Sequence, residues 1–126
     1  MKRFILVLVL LITANIVFAQ NQVVANKSFE INTNNTSIGT ITFNSNGTSG
    51  NLRFQERGGI FAEIINVTIK ENPLGSYEIF FLRTGAYKQY YNGWISSDGK
   101  IITGYLINVN ENITTIEKFP FYATKT

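Results

Sequence analysis

Residues 92–105 read NGWISSDGKIITGY. An aromatic-rich run ending at Trp94 and Ile95 meets an isoleucine-rich run that starts after Lys100, with Ser97-Asp98-Gly99 between them. Asp-Gly suits the positive-φ positions of a tight reversal, so the stretch reads as a β-hairpin whose second strand returns antiparallel over 100–109.

The same grammar extends along the chain. Ile41 and Phe43 alternate with Thr40, Thr42 and Asn44, Asn46-Gly47 opens a turn, and Leu52 and Phe54 alternate with Asn51, Arg53 and Gln55. After Gly58-Gly59, residues 60–70 place Ile65, Val67 and Ile69 on one face and Asn66, Thr68 and Lys70 on the other. Asn72-Pro73-Leu74-Gly75 ends that strand, because Pro73 cannot donate to a ladder. Strands are expected at 77–82 and 87–96, with a turn near Thr84-Gly85. A last strand is expected over about 114–124, where Pro120 points to an edge, a bulge or a bend.

With 28–32 as the first, eight short strands are separated by turn signals, and no helical stretch is long enough for a crossover. A meander of this kind hides its apolar faces in a closed barrel or a two-sheet sandwich. Links of hairpin length favour the barrel, since none suits a Greek-key return. Gly39, Gly93 and Gly104 lie inside strand patterns and permit the bending a small barrel needs. Gly93 is also expected to invite a bulge that reverses the phase of its strand. The predicted fold class is therefore all-β, a single antiparallel eight-stranded up-and-down barrel.

Residues 1–19 read as a signal peptide preceding a domain at 20–126. Lys2 and Arg3 give a positive start, 4–12 an apolar run, and Val17-Phe18-Ala19 a cleavage site. The apolar run stops short of the ~20 residues that span a bilayer, so no membrane span is expected after cleavage. No cysteine follows to carry a lipid. A secreted or periplasmic location follows, for a chain that does without disulfides. Removing Lys2 and Arg3 leaves nine basic residues against eight acidic ones, a net charge of +1. That balance gives no electrostatic reason for nucleic acid as partner. Asparagine is frequent and forms glycosylation sequons at Asn26, Asn34, Asn35, Asn46, Asn66 and Asn112. Asn66 lies inside an expected strand, which favours a compositional origin for them.

The segment Tyr91-Asn92-Gly93-Trp94-Ile95-Ser96-Ser97-Asp98-Gly99-Lys100-Ile101-Ile102-Thr103-Gly104, with the closing Phe121-Tyr122-Ala123-Thr124-Lys125, resembles the C-terminal half of small bacterial exported lipocalin-like or avidin-like proteins of the calycin group. The resemblance covers about a third of the chain after the leader and implies a barrel that binds a small ligand. The early Gly-x-Trp of lipocalins is missing, and Trp94 is the only tryptophan, so the paired set with which avidins enclose biotin is absent.

With no His and no Cys, the usual general base, the common nucleophile–base pairs and soft metal sites are excluded. Glu63 and Glu78 are the acids expected on substantially buried segments, and nothing in their spacing pairs them. Asp98 stands alone where a calcium site needs clustered oxygens. The expectation is a non-enzymatic protein without a cofactor or metal. Aromatic side chains with polar tips concentrate on three successive strands, and the candidate ligand-binding residues are Tyr77, Tyr87, Gln89, Tyr91, Trp94 and Tyr105. Tyr87, Gln89 and Tyr91 share one face, while Lys88, Tyr90, Asn92 and Trp94 share the other, and either can point inward.

Two functions stay open. One is a binding protein that takes a small apolar or amphipathic ligand into the barrel. The other is an interaction or inhibitor module whose filled barrel docks a protein partner or a second copy through exposed aromatics.

Overall fold

Strands β1 (Ser28–Thr33), β2 (Ser37–Phe43), β3 (Gly50–Phe54), β4 (Phe61–Glu71), β5 (Tyr77–Arg83), β6 (Gln89–Ile95), β7 (Ile101–Asn108) and β8 (Lys118–Lys125) follow one another around a closed antiparallel barrel. The computed structural model describes residues 20–33, 37–54, 61–85, 88–109 and 117–126. The leader expected at 1–19, the expected start of the last strand at 114–116 and Tyr87 lie outside the described residues. Closure is made by β8, which returns to β1 in a register running from Phe29↔Lys125 to Thr33↔Phe121. Every strand has a partner on each side, so the meander leaves no open sheet edge.

Period-two alternation decides what faces inward. Phe29, Ile31, Ile41, Phe43, Leu52, Ile79, Phe81, Tyr91, Ile95 and Ile102 are buried, and their strand neighbours are mostly polar or half-exposed. Ring contacts run continuously across the interior. Phe29 meets Phe43 edge-on at 5.9 Å, Phe43 meets Phe81 edge-on at 6.2 Å, Phe81 stacks on Tyr91 at 4.6 Å, and Tyr91 meets Phe121 edge-on at 5.3 Å. These spacings fall within the range in which aromatic pairs add to simple area burial. The interior is thus an apolar, ring-filled core.

The phase break occurs in β4 rather than β6. Ala62 and Ile64 point in, and so do Val67 and Ile69, because the β4–β5 register shifts between Ile65 and Thr68. Asn66 takes φ +56° within this bulge, a left-handed conformation that asparagine tolerates better than any branched residue. Ile65 therefore does not share the inward face with Val67 and Ile69; Ile64 does. The expected bulge at Gly93 is absent, since β6 pairs without interruption with both neighbours. Gly93 instead faces Gly104. A Cβ on Gly104 would run into the Asn92 carbonyl and the Gly93 Cα, and one on Gly93 would stand 3.0 Å from the Phe121 ring. The two glycines let the strands approach and leave room for that ring.

Three hairpin turns share one end of the barrel with the chain's described first and last residues, and all three use one design. The carbonyl of the residue leaving the strand accepts from a glycine N–H three positions on: Asn44 from Gly47 at 3.1 Å, Asn72 from Gly75 at 3.0 Å, and Ser96 from Gly99 at 2.8 Å. The glycines take φ of +72°, +87° and +72°. Asp98 does not share the positive φ that a two-residue Asp-Gly reversal requires. Its carboxylate accepts instead from Ser96 Oγ at 2.5 Å and from the Lys100 N–H at 3.1 Å, which holds it below the usual carboxylate range.

The segment before β1 closes this end. Val24 is fully buried in the core, and Asn21 donates from Nδ2 to the Gly47 and Val67 carbonyls, both at 3.1 Å. Pro120 pairs with Tyr105 on β7 but lies one residue past the last β1 rung, so its missing N–H costs no described β1–β8 bond.

Candidate functional site on the outer barrel wall

The barrel separates the residues that the sequence groups together. Gln89 and Tyr91 face the interior, Tyr77 is half-buried against the core, and Trp94 and Tyr105 stand on the outer wall, 46% and 49% exposed. Tyr87 lies outside the described residues. No single surface contains the described five.

The inward pair belongs to a polar cluster at the end of the barrel opposite the chain's described termini. Arg83, 8% exposed, donates from Nη1 to Gln89 Oε1 at 3.1 Å, and its guanidinium lies 5.2 Å from the Phe54 ring centre. The same Gln89 oxygen accepts the Tyr91 hydroxyl at 2.7 Å, while Gln89 Nε2 donates to Asn108 Oδ1 at 2.7 Å. Burial pushes the Tyr91 phenol up to about 12, against the opposing pull of the Arg83 charge and its hydrogen bond. The phenol is thus a neutral donor at physiological pH. Since its ring is stacked on Phe81 and meets Phe121, Tyr91 builds the core.

Outside, three rungs of the ladder align the remaining aromatics. Leu82, Tyr90, Ile107 and Lys118 occupy one rung across β5 to β8. Phe80, Asn92, Tyr105 and Pro120 occupy the next, and Glu78, Trp94, Thr103 and Tyr122 the third. Asn92 consequently has Phe80 and Tyr105 beside it on neighbouring strands and Tyr90 and Trp94 two residues away along its own. Strand spacing places the lateral pair about 10 Å apart, and strand rise places the axial pair about 13 Å apart. An amide thus stands at the centre of four rings, each 40% to 54% exposed.

A groove of about 600 Å³ occupies this wall and includes all five of these residues. Leu82, Ile107 and Lys118 continue its lining, with Phe81 and Tyr91 in the sheet beneath, and Asn66 reaches it from the β4 bulge. The volume lies within the range of small-molecule sites, and apolar rings with a few polar groups match their usual lining. Sequence reasoning named Trp94 and Tyr105 but omitted Phe80, Asn92, Leu82, Ile107 and Asn66. The available signal was the face shared by Tyr90, Asn92 and Trp94, together with its continuation at Phe80 and Tyr105 on the flanking strands.

Glu63 and Glu78 both occupy outward-facing positions on β4 and β5. The Glu63 carbonyl accepts from the Thr84 N–H at 2.9 Å, which sets Glu63 level with residue 84 and six positions from Glu78 along β5. Strand rise makes that about 20 Å, beyond the ~5–9.5 Å that paired-carboxylate hydrolysis uses. Among the described residues, no three acidic side chains gather as a metal site.

No protein-family model matches the chain, and no curated protein or solved structure shows significant similarity to it.

Proposed function

We propose that this is an exported, non-catalytic binding protein that holds a small ligand on the outer wall of β5, β6 and β7 rather than inside the barrel. The observation that carries the reading is the aromatic groove around Asn92, set beside an interior crossed by packed rings. An enclosed ligand would need the space that Phe81 and Tyr91 occupy. A small ligand is favoured over a protein partner by area. Five half-exposed rings, with Tyr122 as the fifth, offer about 400–600 Å², short of the ~800 Å² per side of a stable protein interface.

The test is native mass spectrometry of protein recovered from its own host, alongside a Tyr90→Ala, Tyr105→Ala double variant. Both rings stand on the outside, so the variant keeps the core. A small-molecule adduct on the parent that is lost from the variant is the expected result. An adduct retained in full by the variant would place the ligand elsewhere.

A further inference from the structure

We infer that the groove recognises a neutral carbohydrate. The inference rests on the outer wall being the ligand site and names the class of ligand it takes. Charge is the first argument. Of the groove's lining residues only Lys118 is ionic, so neither an anionic nor a cationic ligand finds a set of counter-charges. Shape and chemistry are the second. The face of an aromatic ring carries negative partial charge, and it attracts the weakly positive C–H hydrogens on the flat side of a pyranose. Phe80, Tyr90, Trp94 and Tyr105 place four half-exposed rings around one point.

The third argument is the amide at that point. Asn92 is exposed, and among the described residues its carboxamide has no protein hydrogen-bond partner. A carboxamide presents two donors and an acceptor with two lone pairs. Sugar hydroxyls, each both donor and acceptor, match that set, whereas a purely apolar ligand would strip water from the amide and return nothing. Asn66 places a second amide-bearing residue in the lining, set there by the left-handed turn of the β4 bulge. A groove built only for hydrocarbon has no use for the Asn92 amide.

Trp94 is the only tryptophan in the chain and lines the groove, so tryptophan fluorescence, excited beyond the tyrosine absorption band, reports on this wall alone. The experiment titrates the full protein with chitohexaose, cellohexaose and maltohexaose to millimolar concentration, and separately with the neutral apolar probe N-phenyl-1-naphthylamine. The parent is compared with Asn92→Leu, which keeps the apolar area and removes the amide. Circular dichroism confirms that the variant is folded. Saturable binding of at least one saccharide, weakened tenfold or more in Asn92→Leu, is expected. Saccharide binding that Asn92→Leu leaves unchanged or tightens overturns the role of the amide in recognition. Binding of the apolar probe alone overturns the carbohydrate assignment while leaving the wall as a ligand site. If no saccharide alters Trp94 emission, the carbohydrate assignment falls, while the wall as a ligand site stands or falls with the native mass spectrum.

Discussion

Tyr91 shows how one side chain serves packing and polarity together. Its ring stacks on Phe81 at 4.6 Å, and its hydroxyl reaches Gln89 at 2.7 Å beside the Arg83 guanidinium. An unfolded phenol loses its proton near pH 10, whereas this one holds its proton up to about 12. Above pH 10 the unfolded state therefore binds fewer protons than the folded state, and stability falls as pH rises towards 12. Below pH 10 the phenol is neutral in both states and adds no slope. Tyr91→Phe is expected to cost about 1 kcal/mol at pH 7 through the lost hydrogen bond, and to remove this alkaline loss, which is at most about 3 kcal/mol. Urea denaturation of parent and variant at pH 7, 10 and 11.5 measures it. The variant should overtake the parent at the highest pH, and parallel curves would show that the phenol titrates normally.

At the scale of the element, the β6–β7 pair depends on two glycines facing each other. Because the atoms in the way of a Cβ on Gly104 are backbone, no side chain can swing aside to admit it. Gly104→Ala is expected to destabilise by about 3 kcal/mol, measured by thermal or urea denaturation, whereas Thr103→Ala, exposed on the same strand, should change stability by under about 1 kcal/mol. Equal effects would show that the close approach does not matter.

The strands themselves were legible because alternation and turn glycines repeat every few residues, and seven hairpin links and eight strands follow from them. Three local features were not legible. Gly93 inside a strand signals either a bulge or a close approach, and only its partner Gly104, eleven residues on, decides for the second. Asn66 carries the real bulge, yet asparagine is so frequent in this chain that its place in a strand reads as compositional. Asp98 suited a positive φ by composition, but its carboxylate found donors at Ser96 and Lys100 and left the left-handed position to Gly99 alone.

For the whole molecule, closure turns the choice of inward face into the decision about function. The six candidate residues were drawn from both faces of neighbouring strands, so a closed barrel necessarily divided them. Sequence alternation identified the two sets on β6 correctly but contained nothing to orient them, because each set is aromatic. The orientation comes from the neighbouring strands, where Tyr91 lies level with the buried Phe81 on β5 and the buried Leu106 on β7. Removing a core ring and removing a wall ring should then differ sharply. Phe81→Ala is expected to cost about 3–5 kcal/mol, while Trp94→Ala, nearly half exposed, should cost about 1 kcal/mol. Denaturant midpoints measured on both variants check the contrast, and a larger loss for Trp94 would reverse the assignment of the two faces.

A slip of one residue would exchange every inward and outward side chain of β6, so the position of Trp94 tests the account most directly. Acrylamide quenching of tryptophan fluorescence in the ligand-free protein measures it without ambiguity, as the chain has one such ring. Emission like that of indole in water, quenched nearly as readily as in a short peptide, is the result expected of a ring on the outer wall. Blue-shifted emission resistant to quencher in the ligand-free monomer would place Trp94 inside the barrel, and the proposed binding wall would not exist.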